Sequence, residues 1–489
     1  MARREARIDQ SRVEVERFCG VFARWCERRR AADVFSQYAS QVDAIEDLVA
    51  RNIEVIYSNL GAIGVPQSVT EVYGACLGVD RHLVWVKRVW SYFRDKWDQR
   101  DDPSLRTVLA AADEVVWSCY APPFRKLRES VGPPPLPFIA RDFSAFAVPR
   151  SRPPAELRPS DALLVKALDR LPVSVVGLPE ACVRSPWWLI VLPHEVGHQV
   201  VFELDDGRAV RTVGERMMAA AVAESGSSAA EGEWSTWAHE LLADAYASAL
   251  VGSAHLWALA EIEGGGDEAL VRRAPGYPPP LVRQAVGARV LELFGLSEAE
   301  ALPAITDVPG LADLHVEEED RLRVERLLAG TTASAAALVD EPVLGGLSLR
   351  DLLEPRLDWI GRSGAAGSWR QMLASQAAAQ AEPTLEAPRL ATVGALAEWA
   401  EIMAEPDADR RQARAERLCS RMMEVVPHCH EPGSRAPTDF PGSEIAAKEA
   451  PTDVTDLATE LAREAGALPL EDAVRPLEVD PILTGNWTV

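Results

Sequence analysis

The sequence predicts a mainly α fold with a small α+β portion near its middle. Three observations lead there. Apolar residues recur at three- and four-residue spacing before residue 130 and again after residue 300. Short apolar runs bounded by proline and glycine lie between about 138 and 177. Residues 187–204, WWLIVLPHEVGHQVVFEL, form an almost wholly apolar run interrupted by two histidines and a glutamate. A chain of 489 residues is long enough for two to four domains and a large core.

From the N-terminus, Phe18, Val21, Phe22 and Trp25, then Val42, Ile45, Val49, Ile53 and Ile56, mark two helices by their spacing. A third runs from Val69 to about Trp97 with Tyr73, Leu77, Leu83, Val86, Trp90, Phe93 and Trp97, and a fourth from about Leu105 to Tyr120. Aromatics at helical spacing in 85–97 read as core rather than as a stacking surface. The break at Val131-Gly132 and the following PPPLP mark a boundary. Beyond it, 143–148 and 172–177 are short strand candidates and Asp161–Arg170 a helix. Ser185-Pro186 opens a helical segment, and Pro193 is expected to kink or restart it just before His194. Further helices are expected over Arg208–Glu224, from near Ser235, over Leu281–Leu293, Glu317–Leu328 and Leu390–Ala404. From Pro427 the chain turns rich in proline, serine and acids, with one weak helix near 454–466. The expected division is a helical domain over 1–132, a central core over 133–298, a helical domain over 299–430 and an acidic, largely disordered tail over 431–489.

The formal net charge of −23, with only five lysines among 51 basic residues, argues against nucleic acid as a general partner. The arginine- and alanine-rich usage fits a GC-rich bacterial genome. Seven scattered cysteines read as reduced thiols, and neither a signal segment nor an apolar run of membrane-spanning length is present. A cytoplasmic protein without a membrane partner is the expectation.

The chemistry is concentrated in His194-Glu195-Val196-Gly197-His198. On a helix, residues four apart share a face, so both imidazoles can point at one ion with Glu195 beside them. That is the HExxH zinc motif, expected by chance in about one chain in a hundred of this composition. A catalytic zinc takes three protein ligands and leaves one position for water. The metzincin pattern is absent, since it requires glycine at Val201 and histidine at Leu204. Downstream, WSTWAHELLADAYASAL at 234–250 places Glu240 and Asp244 four apart in an apolar helical context, 42 residues after His198. The pair resembles the ExxxD motif of thermolysin-like gluzincins. That resemblance implies Glu240 as third zinc ligand and Asp244 as the group orienting a ligand histidine. His239, the nearest rival ligand, lies about 100° away on the helix.

Glu240-Leu241-Leu242-Ala243-Asp244 and the later Tyr277-Pro278-Pro279-Pro280-Leu281-Val282-Arg283 also resemble the ExxAD and HPPxxxR segments of the CAAX-prenyl-protease type, over roughly residues 185–290. Tyr277 stands where that family has histidine, and its membrane helices have no counterpart here. The resemblance implies a zincin-like metallopeptidase core with a small sheet, flanked by helical domains. It implies Zn2+ as cofactor and a protein or peptide substrate, with Glu195 as general base passing the water proton to the leaving amine. Tyr277 is the candidate oxyanion donor, with His255 or Arg283 behind it. The helical arms could take a regulatory protein partner. The alternative is a catalytically silent or autoinhibited zincin scaffold acting as a protein-interaction module. His428-Cys429-His430 is a weaker metal candidate, as adjacent loop residues seldom act together.

Overall fold

A computed structural model describes residues 2–429 apart from 33–36, 65–66, 128–130, 159–167, 169–170, 206, 226–230, 275, 297–309, 343, 345, 356, 358–363 and 376–383. It is mainly helical with one small three-stranded mixed sheet. The helix expected over 161–170, the tail 431–489 and its helix at 454–466 lie outside the described residues, Leu168 excepted. No helix among the described residues is long and apolar enough to cross a membrane.

The chain divides into two units. The first comprises the described residues of Met1–Asp98 and Arg150–Val173. Its helices are α1 (Ala2–Ala31), α2 (Ala39–Ala62) and α3 (Val69–Trp97). A capping box starts α3: Ser68 accepts from the Glu71 amide, and the Glu71 carboxylate accepts from the Ser68 amide. Trp90 sits edge-on to Phe18, Phe22 and Trp25 at 5.6, 5.9 and 6.2 Å, so the aromatic stripe is core. Val21, Tyr73 and Leu77, which the helical spacing groups with the apolar positions of the first and third helices, face outward instead. Trp85 donates its indole N–H to the Leu157 carbonyl and so ties residues 155–157 to α3.

The second unit, Gln99–Pro149 with Ser174–Gly433, holds the sheet and the remaining helices. It therefore includes the fourth helix, α4 (Pro103–Leu127), which the sequence groups with the N-terminal three. This helix continues seven residues past Tyr120 through Pro122 and Pro123. Each proline lacks the N–H that would pair with the carbonyl four residues back. Those two carbonyls are satisfied from outside, Ser118 by the Arg389 guanidinium at 2.7 Å and Cys119 by the Tyr246 hydroxyl at 2.6 Å.

The strands are β1 (Leu136–Ala140), β2 (Phe146–Val148) and β3 (Val175–Pro179), in the order β1-β3-β2. β1 runs parallel to β3, with Leu136 opposite Val175, and β2 antiparallel to it, with Phe146 opposite Gly177. The sequence misses β1, because PPPLP reads as a linker. Pro137 is tolerated because β1 is an edge strand, and the buried Arg100 fixes it by pairing with Asp113 at 2.7 Å and donating to the Pro137 carbonyl.

After β3 come α5 (Ala181–Arg184), a 3-10 segment over Pro186–Val191, and α6 (Leu192–Asp205). Pro193 thus falls in the first turn of α6, where its missing N–H costs nothing. There follow α7 (Arg208–Ser225), α8 (Glu231–Thr236), α9 (Ala238–Val251), α10 (Ser253–Glu263), α11 (Asp267–Val271) and α12 (Pro280–Leu293). Beyond these lie α13 (Glu318–Ala329), α14 (Thr331–Asp340), α15 (Leu349–Leu353), α16 (Ala365–Ala374), α17 (Ala387–Met403) and α18 (Ala408–Val425). The core is centred where α6 and α9 pack together and against α4, through Val196, Val200, Leu241, Leu242, Ala245 and Tyr246 with Val115 and Val116.

Candidate metal centre

Two helices carry the site, α6 with His194 and His198 and α9 with Glu240, which follows His198 by 42 residues. Gln199 of α6 donates to the Val175 carbonyl of β3 at 3.0 Å, and α6 also packs against β2, so the sheet fixes the helix. Gly197 lets α9 approach: a Cβ there would lie 3.2 Å from the Ala243 Cα and the Tyr246 Cβ. At the end of α9, Gly252 adopts φ 60° and ψ −142°, a conformation open to glycine, and turns the chain so that α10 returns beside α9.

This packing brings His194, His198 and Glu240 together. The two Nε2 atoms are 3.1 Å apart, and the Glu240 carboxylate oxygens lie 3.4 Å from His194 Nε2 and 3.6 Å from His198 Nε2. Tetrahedral zinc with bonds of about 2.0–2.2 Å separates its ligand atoms by roughly 3.3–3.5 Å. The separations here lie near that range, with Glu240 presenting Oε2 to His194 and Oε1 to His198. The imidazole rings are near perpendicular, at 88°, with centroids 4.7 Å apart. Two nitrogens facing each other at 3.1 Å need a proton or a cation between them, and the nitrogen-plus-carboxylate set is one that zinc takes.

Burial lowers the basicity of both histidines. At His194 it is outweighed by Asp244 and Glu240, which hold the ring protonated well above its ordinary range. At His198 burial prevails, and the ring stays neutral. Glu240 would be raised by burial, but His198, His194 and Arg283 hold it well below the usual carboxylate range. Glu195, one residue into the motif, is buried and accepts no hydrogen bond from a described residue; burial pushes it up to about 7. Such a carboxyl can take and return a proton near neutral pH.

Behind the triangle stands Asp244. Its Oδ1 is 2.8 Å from His194 Nδ1, a close ion-pair contact whose angle falls short of a regular hydrogen bond. The same oxygen accepts from His255 Nε2 at 2.9 Å and from Arg283 Nη2 at 2.9 Å, while Oδ2 accepts from Arg283 Nε at 2.6 Å. Burial would raise Asp244, but Arg283, His194 and His255 keep it far below its ordinary value. Arg283 also reaches Glu240 at 3.2 Å and Glu263 at 2.6 Å. It is fully engaged with carboxylates, and neither it nor His255 is placed as an oxyanion donor. Glu263 carries no motif, and nothing in the sequence points to it.

Tyr277 forms an isolated bridge with Ala274 and lies three residues before the first residue of α12. Burial first, then the charges of Glu240 and Glu195, raise its phenol pKa above the ordinary tyrosine range. His239 is half-buried, with Nε2 3.4 Å from the Glu240 carboxylate and Nδ1 3.1 Å from the Thr236 carbonyl. It belongs to neither of the two metal-capable groups among the described residues, His194/His198/Glu240 and His194/Asp244/His255. Cys429 is buried with its thiol on the Val425 carbonyl, and no such group includes it or His428; His430 lies outside the described residues.

Compared with known proteins, the chain matches no family model, no curated protein and no solved structure.

Proposed function

We propose that this chain is a zinc-dependent hydrolase that cleaves peptide bonds in a protein or peptide substrate. The observation that carries the reading is the cluster of His194 Nε2 and His198 Nε2, 3.1 Å apart, with the Glu240 carboxylate oxygens Oε2 and Oε1 at 3.4 and 3.6 Å from them. It is assembled from an HExxH helix and an ExxxD helix, with the buried Glu195 beside it, unpaired among the described residues, and an aspartate behind it.

In this reading His194, His198 and Glu240 hold the ion. Bound there, zinc supplies Lewis acidity, bringing a water towards neutrality in its pKa and polarising a carbonyl. Asp244 keeps the proton of His194 on Nδ1, leaving Nε2 as a lone pair for the ligand position. Glu195 takes a proton from the attacking water and returns it to the leaving amine, work suited to a carboxyl pushed up to about 7. Tyr277 donates its phenolic hydrogen to the developing oxyanion; its raised pKa keeps that hydrogen in place at neutral pH.

A peptide is favoured as substrate by the edge position of β2, which packs against α6 and, among the described residues, has β3 on one side only. An extended peptide can pair with such an edge through its backbone. The seven free cysteines fit a reducing compartment such as the cytoplasm. A regulatory protein partner would use the helical arms. The test is proteomic: proteins cleaved in the host when the wild-type chain is expressed, but not with Glu195→Gln. Zinc bound without cleavage by either protein would favour the silent scaffold.

A further inference from the structure

We infer that His255 is a positioning residue of the metal centre, locking Asp244 in the orientation that aims His194. This rests on the proposed zinc reading, and it comes from how the Asp244 carboxylate is held. A carboxylate has two equivalent oxygens and turns easily about its last bond. Three groups converge on the same one: His255 Nε2 and Arg283 Nη2 donate to it, each at 2.9 Å, and His194 Nδ1 makes its ion-pair contact at 2.8 Å. Arg283 grips from one side, with its Nε on Oδ2 at 2.6 Å. Without His255 the carboxylate is held on that side by the Arg283 fork alone, and it can swing with that long side chain and carry Oδ1 away from His194.

His255 makes a second contact with the same ligand. Its ring lies nearly parallel to that of His194, at 15° and a centroid distance of 5.7 Å, so it also limits how far that imidazole can tilt. Its own placement is firm. It is buried in the first turn of α10, and Gln284 of α12 holds that turn by donating to the Leu256 carbonyl at 3.1 Å. Because the carboxylate only accepts, the hydrogen of His255 must sit on Nε2.

His194, Asp244 and His255 could also be taken as a second cation site, since their donor atoms cluster. Arg283 opposes that, because its guanidinium already supplies the positive charge at both Asp244 oxygens. One metal per chain is expected.

The test compares the full-length wild type with His255→Leu and His255→Gln, the second keeping a hydrogen donor near the position of Nε2. Zinc affinity is read by competition with a chromogenic chelator, metal content by elemental analysis, and ligand geometry by the visible absorption of the Co2+-loaded protein. Circular dichroism confirms that each variant is folded. We expect His255→Leu to bind zinc about 10- to 100-fold more weakly and to shift the Co2+ bands, with His255→Gln recovering most of both. A folded His255→Leu protein with wild-type affinity and spectrum overturns the inference, as does equal impairment of the two variants or two zinc ions per chain. Wild-type protein that binds neither metal overturns the zinc reading along with it.

Discussion

Gly197→Ala probes how closely the two ligand-bearing helices must approach. Alanine is favoured over glycine in a helix interior by about 1 kcal/mol, so in isolation the change would stabilise α6. Its methyl group, however, would sit 3.2 Å from the Ala243 Cα, 3.2 Å from the Tyr246 Cβ and 3.3 Å from the Ala243 carbonyl oxygen. Comfortable separations are about 3.5–4.0 Å, and two of the three obstructing atoms are backbone. The helices must therefore part by roughly 0.3–0.5 Å, at an overpacking cost of about 1–3 kcal/mol. The two effects largely offset, leaving a net loss of roughly 0–2 kcal/mol in the metal-free protein. Zinc binding is less forgiving, because metal–ligand distances tolerate only about 0.2 Å. His194 and His198 ride on α6 and Glu240 on α9, so zinc affinity should fall at least about tenfold while the fold survives. Chelator competition run beside a thermal melt reads both quantities. Wild-type zinc affinity together with an unchanged melt would refute the reasoning.

Glu195→Gln should keep the metal and lower peptide hydrolysis by about 10²- to 10⁴-fold; unimpaired turnover of a cleaved substrate would remove Glu195 from the mechanism. Asp244→Asn should weaken zinc by about 10- to 100-fold, and an unaltered dissociation constant would count against its orienting role. Arg283→Met leaves Asp244, Glu240 and Glu263 facing one another without their shared cation, and should destabilise the chain by about 3–5 kcal/mol in urea unfolding. His194 is held protonated above its ordinary range in the absence of metal, so zinc must displace that proton, and affinity should rise with pH from neutrality upward. Calorimetry in two buffers of different ionisation enthalpy at pH 7.5 should show close to one proton released per zinc; no release would mean that His194 starts neutral.

Much of the fold was legible because helix periodicity is a local signal. α3 spans Val69–Trp97, as its spacing indicates, and α7, α12 and α17 begin and end within about three residues of their expected bounds. The misses have physical causes. β1 hides in PPPLP because a proline on an edge strand looks like a proline in a linker. α4 outruns its expected end because the carbonyls freed by Pro122 and Pro123 are satisfied by Arg389 and Tyr246, partners 271 and 127 residues away in sequence. Val21, Tyr73 and Leu77 share the spacing of core residues, but spacing cannot tell which flank of a helix meets a neighbour.

The juxtaposition of His194, His198 and Glu240 was readable from two i,i+4 patterns, since each helix presents its polar pair on one face. The roles of His255 and Arg283 were not. Each looked like a spare donor near the site, and only the turn at Gly252 and the packing of α12 show that both stand behind Asp244. Glu263 had no local signal at all, as its contact with Arg283 exists only once α10 and α12 pack.

The measurement that tests the central claim most directly is zinc-edge X-ray absorption on the purified full-length chain, with His194→Ala as the control. We predict one zinc per wild-type chain, with a first shell of two imidazole nitrogens and oxygen donors at about 2.0–2.2 Å, and loss of that zinc in the variant. A chain that holds no zinc, a shell dominated by sulfur, or zinc retained unchanged by His194→Ala would contradict the account.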